Sequence, residues 1–192
     1  CALALLATVH LAPVAAADPP SEGTVMTDKA RQLYEEGVTA LKKNQLAEAR
    51  ASFLAAFSLN KHWQIAGNLA DSEIQLGRFR DGAEHAAYYL RNAPPDRRER
   101  AEGLLKLAKA KIGTLKLVVD QAGAELLVDD VSIGRAPLAE VVFVDPGKRK
   151  VTARFAGRDD VVQSVEVTAG SEKQVSLKII PVAPPASASS TA

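Results

Sequence analysis

Cysteine is almost missing from this chain of 192 residues, and the only one is Cys1. It opens the mostly apolar segment 1–17, which ends in three alanines and is followed by polar residues. Signal peptidase requires small residues at the last and third-last positions before its cleavage site, and the alanines meet this requirement for cleavage after Ala17. We therefore expect residues 1–17 to be an export signal peptide and residues 18–26 to be a disordered linker. Cys1 is then either a thiol in a discarded peptide or a lipid attachment site. If it is discarded, disulfides and cysteine-ligated metals are excluded.

The chain also has few histidines, and neither positive nor negative charge is in clear excess. The three histidines, His10, His62 and His85, are not spaced as metal ligands. The 24 basic residues nearly balance the 23 acidic ones, giving a net charge of +1. Nucleic-acid binding needs a concentrated basic excess. The chain also lacks GxSxG, HExxH and GxxxxGK motifs. These absences disfavour an enzyme, a metal or organic cofactor, and a nucleic-acid partner.

Long apolar runs are absent as well. The longest mostly apolar stretch, residues 1–17, is shorter than the ~20 residues that a membrane-spanning helix needs. At the other end, residues 181–192 are rich in Pro, Ala and Ser and carry no charged side chain. This composition predicts a disordered tail. We expect the natural chain to continue past Ala192, with a membrane anchor there left open.

Residues 27–112 have the pattern of amphipathic helices. Apolar residues recur at spacings of three and four, and Ala, Leu, Glu, Lys and Arg dominate. Thr27 is the expected N-cap, with Asp28 as the alternative. A shift of 33 residues places Gly37 on Ala70, and a second shift reaches Gly103. Small residues at one repeated helical position predict a close approach of two helices at each of them.

The same shift places Asn44 on Gly77, where a left-handed backbone would join paired helices. The pattern predicts two helical hairpins followed by a capping helix over residues 96–112. The segment resembles the tetratricopeptide repeat, and it departs from that family at Asn44, Lys61 and Ala86. The positions that carry the resemblance are Gly37, Asn44, Ala49, Phe53 and Ala56 in the first repeat, and Ala70, Gly77, Gly82, Ala86, Tyr89 and Pro94 in the second.

The resemblance implies a concave face that binds a protein or peptide, through apolar contacts and a few hydrogen bonds. Asn68 is included because some members of the family use an Asn to bind a peptide carboxylate. Trp63 is expected to pack between repeats, with stacking on a ligand as the alternative. The cluster of Arg97, Arg98 and Arg100 is expected to be solvated helix surface, with an anionic docking patch as the alternative. An alternative is that the concave residues only contact the following domain. The candidate binding residues are Tyr34, Val38, Leu41, Gln64, Asn68, Asp71 and Gln75.

Residues 113–180 change to a period of two, with Val, Ile, Leu and Thr in short runs separated by turn residues. About six short strands in this length predict a small antiparallel β-sandwich. The fold class is therefore α+β in two domains, a helical array and then a β-sandwich. Paired acids such as Asp129 and Asp130 are expected to be turn residues rather than a cation site.

This second segment resembles the PEGA domain, a bacterial module named after a four-residue motif. The matching positions include Gln121–Ala124, Gly134, Pro137, Leu138, Pro146 and Gly147. The chain departs from the pattern at Gln121, Ala122, Asp130 and Arg158. The two resemblances together imply an envelope protein of Gram-negative bacteria, exported to the periplasm or cell envelope.

Two functions follow as hypotheses. In the first, a non-enzymatic scaffold docks a protein partner on its helices, while the β module acts as spacer or surface contact. In the second, the β module binds cell-wall polysaccharide. Sugar sites usually present an exposed aromatic ring, and the module offers only Phe143 and Phe155. Phe155 shares a strand face with Val151 and Ala153, which weakens the second hypothesis.

Overall fold

The computed structural model describes residues 26–179. The predicted signal peptide, most of the predicted linker and the predicted tail lie outside the described residues. No helix within residues 26–179 is long and apolar enough to cross a membrane. The elements in this range are α1 (Asp28–Lys42), α2 (Leu46–Leu59), α3 (Trp63–Gln75), α4 (Phe79–Asn92), a 3₁₀ turn (Pro95–Arg97), α5 (Arg98–Lys109), β1 (Gly113–Val119), β2 (Glu125–Val128), β3 (Val131–Arg135), β4 (Val142–Val144), β5 (Gly147–Arg154), β6 (Val161–Val167) and β7 (Glu172–Leu177).

The helical part begins and turns where the sequence predicts. The Thr27 hydroxyl accepts a hydrogen bond from the Ala30 N–H at 3.4 Å, which caps α1. Asn44 and Gly77 lie in the turns after α1 and α3, with φ angles of 57° and 75°. Both predicted left-handed turns are therefore confirmed, and α1–α2 and α3–α4 form two helical hairpins.

The prediction of close helix packing is confirmed at Gly37 and Ala70, and it is wrong at Gly103. A Cβ on Gly37 would lie 2.6 Å from the Phe53 ring, so α1 and α2 can approach only because this side chain is missing. In the second hairpin, a Cβ on Gly82 would lie 3.3 Å from the carbonyl oxygen of the buried Ala70. Gly103 is exposed with nothing within 4 Å of such an atom, because no described helix packs on that side of α5.

The seven strands of the described region form two sheets, in the orders β4-β1-β7 and β3-β2-β5-β6. The prediction of an antiparallel sandwich is wrong for one pair, because β1 and β7 run parallel over Thr114–Val119 and Glu172–Leu177. The connection between β6 and β7 crosses from one sheet to the other, which brings the last strand beside the first. The predicted strand count of about six is also one too low.

The β core lies between the two sheets. The predicted alternation is confirmed at the end of the chain, where Val175, Leu177 and Ile179 are buried and Ser176 and Lys178 are exposed. The fully buried apolar side chains of this core are Leu115, Ala124, Leu126, Val151 and Ala153. The observed layout is thus a helical part followed by two small sheets, an α+β arrangement in two parts.

A separate apolar cluster joins the helical part to the β part. Ala83 of α4 and Ala108 and Ile112 at the end of the helical part are buried together, with Phe143 of β4 against them. Gly113 starts β1 directly after this cluster, and a Cβ there would collide with the Val167 side chain. The change from helix to strand is therefore tightly packed, which fixes β4 beside α4.

Candidate functional site

A pocket of about 190 Å³ opens on the face where α1, α3 and the start of α5 come together. Three of its residues are among those that the sequence indicated, and the others come from α3, α4 and the start of the capping helix. The lining residues are Tyr34, Trp63, Gln64, Gly67, Asn68, Tyr89, Arg97 and Arg100.

Two stacked aromatic rings form one wall of this pocket. The centroids of Trp63 and Tyr89 are 6.1 Å apart, and the ring planes differ by 7°. Gly67 allows this arrangement, because a Cβ there would lie 3.0 Å from the Tyr89 ring. The Nδ1 atom of His62 accepts from the Gln64 N–H at 3.2 Å and caps α3. The start of α3, and with it Trp63, is therefore held in place.

Tyr34 and Asn68 connect the first hairpin to the second across the pocket. The Asn68 side-chain amide donates to the Tyr34 hydroxyl at 2.9 Å. The Tyr34 ring in turn packs against Phe53, with centroids 5.7 Å apart. Both side chains are half-buried, so the amide oxygen of Asn68 and the edge of Tyr34 are available to a ligand from one side.

Two arginines give the pocket its charge. Arg100 contacts Asp71 at 3.0 Å, and Arg97 contacts Asp96 at 3.2 Å. A guanidinium carries five N–H donors, so each arginine keeps donors for a further acceptor. The eight lining residues include no carboxylate, and both arginines are exposed. The pocket therefore combines an aromatic wall with two guanidiniums, each paired with one carboxylate and each with N–H donors left over. These donors suit a carboxylate or another acceptor group attached to an apolar one.

The Tyr89 side chain is buried beside the arginines of the pocket. Burial raises the pKa of Tyr89 above its usual range, and the nearby Arg100 and Arg97 oppose part of this effect. A tyrosine phenol is protonated around neutral pH with or without this shift, so the hydroxyl can act as a hydrogen-bond donor or acceptor.

The remaining predicted residues lie beside the pocket rather than in it. Gln75 donates to Asp71 at 2.9 Å, so both belong to the polar rim around Arg100. Val38 and Leu41 are half-buried against the core of the first hairpin. Sequence reasoning assigned Trp63 to packing and the arginine cluster to solvent, and it did not consider Tyr89 as a site residue. The sequence signal that could have indicated this pocket was the cluster of arginines at the start of the capping helix, after the second hairpin.

Other polar groups that the sequence singled out have structural partners. His85 Nδ1 lies 2.7 Å from the carboxylate of Glu73, which is fully buried and also contacts Arg50 at 3.1 Å. Asp129 accepts hydrogen bonds from the Lys150 backbone and Arg149, which lower the pKa of its carboxyl. Within residues 26–179, no group of three or more His, Cys, Asp and Glu side chains is arranged to hold a metal ion.

No protein-family model matches this chain, and no curated protein is similar enough to it to count as a relative. The function therefore has to be argued from the pocket and the fold.

Proposed function

We propose that this protein is a non-enzymatic scaffold of the bacterial cell envelope, with a tetratricopeptide-like array that docks a protein partner and a PEGA-like module that spaces or presents it. The observation that supports this proposal is the pocket in which the stacked rings of Trp63 and Tyr89 lie beside Arg97 and Arg100. Residues from the first helix of each hairpin and from the capping helix meet there. A segment of a partner protein that crosses these helices would contact all of them.

The partner segment should carry a carboxylate next to an apolar side chain. A carboxylate can accept two parallel N–H bonds from a guanidinium, which fixes its orientation as well as its position. The half-buried ring of Trp63, packed on the buried ring of Tyr89, offers apolar area for the neighbouring side chain. Asn68 and Gln64 add amide groups that can bond the backbone of an extended segment.

The β module is proposed to hold the helical array at a fixed orientation. Its contact with the helices has an apolar part, Phe143 against Ile112 and its neighbours. Two salt bridges add to it, Arg91–Glu140 at 2.9 Å and Lys109–Glu172 at 3.6 Å. Phe155 packs on the β core, so both aromatic rings of the module have intramolecular partners. Binding of cell-wall polysaccharide by the module stays an untested alternative, and the experiment below includes it as an outcome.

The test is affinity capture from an envelope extract with three baits: residues 18–192, the same chain with Arg100→Gln, and the same chain with Arg98→Gln. Arg98 is exposed at the start of α5 but does not line the pocket, so it matches the charge change without touching the site. We expect a protein that the unchanged and Arg98→Gln baits retain and that the Arg100→Gln bait loses. Equal retention by all three baits, or retention of cell-wall polysaccharide alone, would contradict the proposal.

A further inference from the structure

A second concave surface lies at the junction of the helical part and the β module. Two adjoining cavities of about 450 Å³ and 310 Å³ share Glu84 of α4, Ile133 of β3, and Val142 and Phe143 of β4. Together they form one groove, which we call the junction groove. It lies apart from the arginine pocket and shares no lining residue with it.

Two sheet edges border the junction groove. β3 is the edge strand of one sheet and β4 is the edge strand of the other, so each lacks a hydrogen-bonded strand on its outer side within the described chain. An unpaired edge presents a row of backbone N–H and C=O groups that can pair with an added strand. The opposite side of the sandwich differs, because the chain passes there from β6 in one sheet to β7 in the other.

The side chains of this groove are mainly apolar. Val131 and Ile133 of β3 both line the groove, and Val131 is 66% exposed. Ile133 has no partner on β2, because the register between β2 and β3 shifts by one residue there. Leu138 and Val141, in the connection to β4, extend the apolar lining, and Val141 is 38% exposed. Exposed branched side chains beside an unpaired strand edge match what an incoming strand would cover.

The groove lining carries four carboxylates and two guanidiniums, those of Arg80 and Arg149, and this excess of negative charge favours a cationic occupant. Glu140 is paired with Arg91 at 2.9 Å, and Asp129 with Arg149 at 2.8 Å. The carboxylates of Glu84 and Asp145 lie in the same lining and form no salt bridge with any described residue.

The environment of Glu84 agrees with this charge pattern. Partial burial raises the pKa of Glu84, although its side chain still reaches solvent, and Arg80 opposes part of the effect. Burial destabilises the charged form of a carboxyl group, and a cation close to it stabilises that form again. Arg80 is itself in contact with Asp81, at 3.5 Å, which weakens its hold on Glu84.

We propose that the junction groove binds an extended segment of a partner protein, added as a strand to the edge of β3, in which a Lys or Arg is flanked by apolar side chains. The backbone of the segment pairs with β3, its apolar side chains cover Val131 and Ile133, and its cation meets Glu84. This site is independent of the arginine pocket, which favours the opposite charge. The protein would then hold two segments of different chemistry at two surfaces.

The test uses capped peptides about six residues long, the length of an ordinary strand, with residues 18–192 as the protein. The first peptide alternates Val and Thr around a central Lys. The second carries Glu in place of that Lys, and the third repeats the first with N-methyl groups on alternate backbone nitrogens. Fluorescence anisotropy of labelled peptides gives the dissociation constants.

We expect the Lys peptide to bind, and both the Glu peptide and the N-methylated peptide to bind at least about tenfold more weakly, because they lose the charge match and the strand pairing respectively. Val131→Lys should weaken binding of the Lys peptide by a similar factor. The matched control is Val162→Lys on β6, an exposed valine at the other edge of the same sheet, which should leave binding unchanged.

Three results would overturn the proposal. The first is no binding of the Lys peptide up to about 1 mM, the weakest affinity that a specific segment would show. The second is equal binding of the Lys and N-methylated peptides, which would mean that no strand is added. The third is self-association of the protein, measured by sedimentation and abolished by Val131→Lys, which would assign the edge to a second copy of the chain.

Discussion

Two helical glycines, Gly37 and Gly103, have opposite surroundings and should respond oppositely to the same substitution. A methyl group on Gly37 meets the buried Phe53 ring, and overpacking of this kind costs about 1–3 kcal/mol. Gly103 lies within α5 with nothing near its missing side chain. Replacing a helical Gly by Ala otherwise stabilises by about 0.5–1 kcal/mol.

We therefore expect Gly37→Ala to lower the free energy of unfolding by ~1 kcal/mol and Gly103→Ala to raise it by ~0.5 kcal/mol. Urea unfolding followed by circular dichroism measures both changes. Two changes of the same sign would contradict this account of helix packing.

The buried carboxylate of Glu73 is a second test at the residue scale. It is fully buried between Arg50 and His85, which come from different helices. Removal of one partner of a buried pair leaves the other uncompensated and typically costs about 3–5 kcal/mol. Because Arg50 still reaches solvent, Glu73→Ala should cost about 3 kcal/mol of unfolding free energy.

The matched control is Asp96→Asn, which removes an exposed ion pair with Arg97 and should change stability by less than about 1 kcal/mol. Urea unfolding of both variants is the measurement. A loss for Glu73→Ala no larger than that of the control would show that the buried network adds little stability.

The residues that line the pocket could be predicted only in part, for a reason visible in Arg97 and Arg100. Charged residues at the start of a helix usually face solvent, and in sequence these two resemble Arg98. What distinguishes them is the packing of α5 beside α3 and α4, which brings them next to Trp63 and Tyr89. Tyr34, Gln64 and Asn68 could be predicted because the repeat places them on one face of the first helices.

At the scale of elements, local signals predicted the helices and one non-local contact was missed. Asn44 and Gly77 mark turns that depend on the backbone of single residues, so the sequence reveals them directly. The parallel pairing of β1 with β7 joins segments at opposite ends of the β module. Alternation of apolar residues gives the face of a strand and not its neighbour, so it cannot reveal this pair.

The β module should therefore be unable to fold without strand β7. Its Val175 and Leu177 are buried in the sandwich core, and the strand pairs with β1 along six residues of each strand. A chain that ends at Ser171 should lose the β signal in circular dichroism and keep most of the helical signal. A chain that ends at Ile179 is the control and should keep both. Retention of a cooperatively melting β module in the shorter chain would contradict this pairing.

At the scale of the whole molecule, the two surfaces differ in chemistry although the net charge of the chain is only +1. The arginine pocket offers guanidinium donors beside an aromatic wall, and the junction groove has two carboxylates without a salt bridge among the described residues. The cluster around Phe143 and Ile112 holds the helices and sheets together between these surfaces. Such an arrangement suits a protein that fixes two partner segments at a set separation.

The central claim, docking of an acidic segment in the arginine pocket, can be tested directly through Trp63. It is the only tryptophan of the chain and lines the pocket, so its fluorescence reports on occupancy. The measurement is a titration of residues 18–192 with a capped peptide of alternating Leu and Glu, beside the same peptide with Gln for Glu.

We expect a saturable change of Trp63 fluorescence with the Glu peptide, weakened by about tenfold in Arg100→Gln and by added salt, and unchanged in Arg98→Gln. Equal responses to the Glu and Gln peptides, or equal affinities of the Arg100→Gln and Arg98→Gln variants for the Glu peptide, would contradict the claim.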